Sequence, residues 1–199
     1  MVKLLIVNGS PRAPRSNSRR YAELFQARWK GEARYAALTA KNHAELAAAA
    51  AECTDLLLVF PLYADGLPAP LLRFLEFLEG AGPEHRPRIS VLINCGFLEP
   101  HQNDVAVDMV RLFCLENGYP FGACLKIGGG EAILGPPFAF LVRRSIRALR
   151  QGRRRRTVRR AGGHHAPVPP LLCAGLHTLL DADGRRQRLY AGTDGVHGH

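Results

Sequence analysis

The sequence predicts a doubly wound α/β domain, and three observations lead there. Short, almost purely aliphatic runs recur at residues 3–8, 55–60 and 88–94, a mixed apolar run stands at 121–127, segments of helical spacing stand between them, and the runs end in loops rich in Gly, Pro, Ser or Asn. An aliphatic run without alternation is a strand buried on both faces; such strands alternating with helices form a parallel sheet covered by helices on both sides.

KLLIVN (3–8) is the first strand, turned by Gly9-Ser10-Pro11. From Ser16 the spacing becomes helical: Tyr21, Leu24, Phe25 and Trp29 share one face, Arg19, Arg20 and Glu23 lie off it, and Ser16, Asn17 and Ser18 are candidate caps. ARYAAL (33–38) reads as a strand, and an Ala-rich helix follows over 41–52. DLLLVF (55–60) is a strand stopped by Pro61, and PLYADGLP leads into a helix over 70–79 with Pro in its first turn. RISVLIN (88–94) repeats the unit; CGFLEPHQN joins it to a helix over 103–116, with Val105, Met109, Leu112 and Phe113 expected inward and Asn117-Gly118 as its stop. Residues 121–127 make the fifth strand, before Gly128-Gly129-Gly130, and 138–150 reads as helical. Beyond it, 151–168 reads as an Arg-rich surface excursion, 169–184 as an additional C-terminal helix, and GTDGVHGH as a frayed tail. The 199 residues fit one domain spanning 1–199.

Composition narrows the setting. Hydrophobic residues make up 47% and charged residues 22%, a globular balance rather than a disordered one. No apolar run approaches the roughly 18 to 20 residues that span a bilayer, and MVKLLIV passes straight into a turn, so neither membrane insertion nor a signal peptide is expected. Five dispersed cysteines without a CxxC fit neither a disulfide framework nor a zinc ribbon, and point to a reducing, cytoplasmic location. The net charge of +10 is local: residues 143–160 carry ten Arg and no acid, and the other 17 basic residues match the 17 acidic ones.

In open parallel sheets ligands bind beyond the carboxyl ends of the strands. The loops there are GSPRAPRSNS, PLYADGLP, NCGFLEPHQN and GGGEAILG. In the first, Ser10, Ser16, Asn17 and Ser18 offer hydrogen-bond donors, the helix offers unpaired N–H groups, and Arg12 and Arg15 add positive charge. It reads either as a phosphate cradle or as a Ser-rich helix cap. The GxxxxGK[ST] spacing of a nucleoside triphosphate loop is absent.

These loops, in this order, resemble those of the flavodoxin-like NAD(P)H-dependent FMN reductase family: GSPR with SNS after the first strand, PLYADGLPAPLLRFLE after the third, and NCGFLEPHQN with IGGGEAI later, over residues 1–135. The resemblance implies a flavodoxin-like five-stranded parallel sheet in the order 2-1-3-4-5, with FMN across its carboxyl edge. It places Ser10, Arg12, Ser16, Asn17 and Ser18 around the FMN phosphate. Leu62, Tyr63, Ala64 and Asp65 border the flavin ring on one side, and Asn94, Cys95, Gly96 and Phe97 meet its other edge. Packing at loop ends is the other reading of Tyr63 and Phe97. The implied activity takes hydride from NADPH or NADH and reduces a small acceptor such as a quinone or flavin; the flavin does the chemistry and no catalytic side chain is required. A homodimer is the implied assembly. The loops ADG and LEPH depart from many reductases.

Other motifs carry less. Cys95 reads as a thiolate nucleophile or as a small residue beside a ligand; a CxxxxxR phosphatase loop would need Arg where His101 stands. Glu99 with His101 reads as a proton-transfer pair or as solvated loop polarity. The triple glycine is no dinucleotide fingerprint, because Ile133 stands where its last Gly belongs. His164-His165, His197 and His199 lack a carboxylate or cysteine set, so no metal site is expected. The Arg run reads as a solvated excursion, as a contact for nucleic acid or an acidic partner, or as an attractor of NADPH phosphates; it has no aromatic residue on which bases could stack. The rival to a reductase is a non-catalytic flavodoxin-like module acting through that run.

Exposed charges separated by more than about 8 Å are screened at physiological ionic strength. Replacing Arg153, Arg154, Arg155 and Arg156 with Gln is expected to leave FMN affinity unchanged and to abolish salt-sensitive retention on heparin. Loss of FMN affinity in that variant would place these arginines at the cleft.

Overall fold

The computed structural model describes residues 3–13, 15–80, 85–130, 134 and 143–149. Five strands, β1 (Lys3–Asn8), β2 (Glu32–Ala37), β3 (Asp55–Pro61), β4 (Arg88–Asn94) and β5 (Phe121–Ile127), form one sheet in the order β2-β1-β3-β4-β5, with every neighbouring pair parallel. The helices between them are α1 (Asn17–Gln26), α2 (His43–Ala51), α3 (Ala69–Gly80) and α4 (Asp104–Glu116). A 3₁₀ turn, Pro100–Asn103, leads into α4, and residues 143–149 are helical.

Strand alternation divides the aliphatic residues between two cores. Leu4 and Ile6 of β1 and Leu57 and Val59 of β3 face α1 and the 143–149 helix, where Tyr21, Phe25, Ile146 and Leu149 cover them. Leu5 and Val7 with Leu56, Leu58 and Phe60 face the opposite side, covered by Leu46, Phe74 and Val110 of α2, α3 and α4. The uninterrupted aliphatic runs are thus the signature of strands buried on both faces. β2 is an edge strand, more exposed and correspondingly poor in aliphatics.

Between β4 and β5 the register shifts near Ile89 and Val91. The buried Ser90 hydroxyl takes the Ala123 N–H there (3.2 Å). Gly122 makes the room, since a Cβ at that position would come within 2.3 Å of Ser90 Oγ.

One expectation fails on α4. Val105, Met109 and Leu112 point outward, while Ala106, Val107, Val110 and Cys114 face the sheet; Phe113 is half-buried and stacks on Tyr119. The helix is apolar on two faces, so spacing alone cannot choose between them, and the smaller side chains let it approach the strands. Asn103, expected as its first residue, closes the 3₁₀ turn. The expected strand and helix bounds otherwise hold to within about two residues. Of the helix expected over 138–150, residues 143–149 are described; the excursion over 151–168 and the helix over 169–184 lie outside the described residues. Among the described residues no helix is long and apolar enough to cross a membrane.

Candidate functional site

All parallel strands deliver their following loops to one sheet edge, and there the chain leaves a cleft of about 710 Å³, within the usual range for small-molecule and cofactor sites.

The first wall is built on Asn8, a fully buried amide at the end of an aliphatic strand. Its Oδ1 accepts the Ser10 N–H (3.0 Å), and its Nδ2 donates to Ser16 Oγ (3.3 Å) and to the Tyr35 hydroxyl (3.0 Å). Loop and helix start are thereby held together. Ser16 caps α1, its extended backbone turning Oγ toward the Arg19 N–H (3.2 Å). Ser10 Oγ accepts the Arg12 N–H (3.3 Å). Ser18 is buried, and its hydroxyl donates to Asn94 Oδ1 (3.2 Å), joining the start of α1 to the end of β4.

The charge at this helix end runs against local preference. A helix N-terminus favours acidic side chains, yet the first turn of α1 has none and contains Arg19 and Arg20. Arg12, Arg15, Arg19 and Arg20 all line the cleft, with Glu23 as the acid among them, paired to Arg19 at 2.8 Å. The mouth is consequently electropositive where backbone N–H groups already point.

The second wall follows β3. Pro61 and Asn94 end their strands at the same level, and the Leu62 N–H donates to Asn94 O (2.7 Å). Tyr63 and Gly66 then close a tight turn, exchanging backbone hydrogen bonds of 3.2 and 3.0 Å, with Ala64 and Asp65 between them at φ of 46° and 56°. Both values lie in the left-handed region, costly for an alanine.

The third wall is a seam between the loops after β4 and β5. Cys95 N–H donates to Ile127 O (3.0 Å), Gly130 N–H to Cys95 O (2.8 Å), and Gly129 N–H to Phe97 O (2.6 Å). Gly128 permits this approach, because a Cβ there would sit 2.1 Å from Leu98 O. Tyr21 Oη donates to Gly130 O (2.7 Å), fastening the seam to α1.

Of the expected residues, Ser10, Arg12, Ser16, Asn17, Ser18, Leu62, Tyr63, Asn94, Cys95 and Gly96 are brought together around the cleft. Ala64, Asp65 and Phe97 stand on its rim loops without lining it. The cleft also takes in Pro11, Arg15, Arg19, Arg20, Glu23, Pro61 and Gly130. Arg19 and Arg20 had a legible signal, two cations in the first turn of a helix capped by Ser16. Asn8 had one too, as the polar residue ending an aliphatic strand.

Cys95 is buried, held by Asn103 Nδ2 (3.3 Å) and close to Phe97 O (3.5 Å). Burial pushes its thiol above the ordinary range, against the lowering by these hydrogen bonds, which is the reverse of what an activated nucleophile needs. Glu99 and His101 are exposed. Among the described residues no three His, Cys, Asp or Glu are grouped to hold a metal ion; His164, His165, His197 and His199 lie outside them.

No family model and no curated protein matches the chain. Solved structures do. An NADPH-quinone reductase from P. pentosaceus aligns with a TM-score of 0.58 at 16% identity, over 77% of this chain and 98% of its own. An FMN-dependent NADH-azoreductase from Bacillus anthracis, solved in complex with FMN, aligns with a TM-score of 0.53 at 14% identity, over 78% and 99%. A flavodoxin from Streptococcus pneumonia TIGR4 gives 0.52 and 14%, over 76% and 99%. The chain has the flavodoxin-like fold, in the strand order that the sequence resemblance implied.

The left-handed Ala64 yields a stability test. Ala64→Gly is expected to raise stability by about 0.5 to 1 kcal/mol in urea unfolding, relief of the Cβ strain outweighing the added chain entropy. A loss of that size would show that the turn is not held in this conformation.

Proposed function

We propose that the protein is an FMN-dependent oxidoreductase that takes hydride from NADPH or NADH and reduces a small acceptor such as a quinone or flavin. The observation that carries this reading is the acid-free, Arg-lined N-terminus of α1, facing a cleft of cofactor size. Such an end suits one terminal phosphate better than an uncharged ligand. The similarity of fold to a quinone reductase and to an FMN-bound azoreductase supports it.

The residues fit the cofactor. Ser10, Ser16 and the first-turn amides of Asn17 and Ser18, with Arg12, would hold the phosphate; Arg15 would add charge at the mouth. Ser18 assists in part through Asn94, which its hydroxyl holds in place. The N–H groups of Leu62 and Tyr63 are already taken by Asn94 O and Gly66 O. Those of Ala64, Asp65, Gly96 and Phe97 have no protein acceptor among the described residues, and would meet the carbonyls and nitrogens of a flavin ring. The half-exposed Tyr63 ring would border it. Bound here, FMN supplies hydride acceptance and onward electron transfer. The chain's own part is to bind, orient and leave one ring face open; the raised Cys95 thiol takes no part as a nucleophile.

We infer a homodimer as the working unit. A reducing, cytoplasmic setting is consistent with Cys53, Cys95, Cys114 and Cys124, none of them in a disulfide.

Reconstitution followed by anaerobic titration tests the activity. FMN is expected to bind in preference to FAD, to bleach on addition of NADPH or NADH, and to regain its colour with a quinone. Tight flavin binding with no bleaching by either nicotinamide would reject the reductase and favour a carrier or binding module.

A further inference from the structure

Among the described residues, charge is divided across the sheet. On one side, α2, α3 and α4 carry one, two and three acids respectively, against Arg73 and Arg111. On the other, the helix over 143–149 turns Ile146 and Leu149 into the core and leaves Arg143, Arg144 and Arg147 exposed. α1, which shares that core, adds Arg19 and Arg20 against the lone acid Glu23, already paired with Arg19.

The chain supplies no counter-charge to this helix. Arg143, Arg144 and Arg147 have no acidic partner among the described residues. The sequence holds no Asp or Glu between Glu131 and Asp181, and within that stretch it adds Arg150, Arg153, Arg154, Arg155, Arg156, Arg159 and Arg160. Uncompensated like charge works against a compact fold and gathers small anions from solution. A polyanion that gives up its own condensed cations to such a surface gains by their release.

The other residues on this face decide which polyanion it suits. The exposed large apolar side chains of the described residues stand on α3, on α4 and on the loops of the cleft, and none is on α1 or the 143–149 helix. Protein partners are anchored by buried aromatic or aliphatic groups, a surface helix enters a membrane by its apolar face, and single-stranded nucleic acid stacks on aromatics. With Ile146 and Leu149 occupied in the core, this face offers none of these anchors. Duplex nucleic acid requires none, because cations alone bind its backbone and the arginine fork meets phosphate oxygens in pairs.

We propose that the outer face of the 143–149 helix, with the arginines that follow it in the sequence, docks on the phosphate backbone of duplex nucleic acid without reading its bases. This function is separate from the cleft, which Arg143, Arg144 and Arg147 do not line. The test measures, by fluorescence anisotropy, the binding of two labelled DNA duplexes of unrelated sequence to the full-length chain and to Arg143→Gln/Arg144→Gln/Arg147→Gln, over about 50 to 200 mM salt. Circular dichroism verifies folding, and flavin fluorescence quenching reports FMN binding. The parent is expected to bind both duplexes alike, with log K falling linearly as log salt rises. Each phosphate contact contributes about 0.9 to that slope, so the triple variant is expected to lose about 2.7 of it and to keep its FMN affinity. If the triple variant misfolds, Arg147→Gln alone is expected to lose about 0.9. Absence of duplex binding at the lowest salt overturns the proposal, and so does an unchanged slope in the folded variant, which places the contact on other residues. Preference for one duplex sequence overturns backbone-only docking. Displacement of the duplex by phosphatidylserine vesicles or by polyglutamate at equal anionic charge overturns it in favour of a lipid surface or an acidic protein. Joint loss of FMN and duplex binding overturns the separation from the cleft.

Discussion

A single buried carboxamide sets the geometry of the cleft. Asn8 ends the interior strand β1 with no solvent exposure, in a place where an unpaired amide would be costly, and it finds three partners drawn from loop, helix cap and edge strand. Beside Gly9 N–H to Val59 O and Ala13 N–H to Ser10 O, those bonds fix the course of the loop into α1 and hold Ser16 where it caps the helix. The helix N-terminus is therefore held in part by a side chain outside the helix.

From that point the other walls follow. Ser18 ties α1 to Asn94, Asn94 O holds Leu62, and Tyr21 reaches Gly130, so that strand ends distant in sequence are joined by hydrogen bonds around the cleft. Parallel topology supplies the rest, because it sends each loop to the same edge while the aliphatic residues are used up in the two cores. Where the chain breaks local rules, it does so at this edge. Ala64 and Asp65 take left-handed backbone, and Arg19 and Arg20 sit against the helix dipole. Among the described residues the left-handed non-glycine backbone and the first-turn arginines both fall at this edge, which supports the proposed ligand site.

The strands were legible because burial on both faces leaves unbroken aliphatic runs, and Ser16 was legible because a capping serine before a helical pattern has a direct physical role. The loops of the cleft could be named from their place after those strands. What was not legible is instructive. α4 has apolar residues nearly all round, so Val105, Met109 and Leu112 were placed inward when the sheet takes Ala106, Val107 and Val110. Ser18 lines the cleft, and its hydroxyl is directed to Asn94, a contact 76 positions away in sequence that no local pattern contains. The role of Asn8 depends likewise on Tyr35 of another strand. Long-range polar contacts of this kind leave no periodic trace in a sequence.

The proposed function requires that the edge of the sheet hold a phosphate-bearing flavin by its phosphate. Comparing FMN with riboflavin, which has the same ring and lacks the phosphate, isolates that contribution. Charge-assisted hydrogen bonds of roughly 1.5 to 3 kcal/mol each, two or more of them lost with the phosphate, make FMN the tighter ligand by at least about a hundredfold in a fluorescence titration. Equal affinity for the two would contradict the account, because the Arg-lined start of α1 would then have no part in binding.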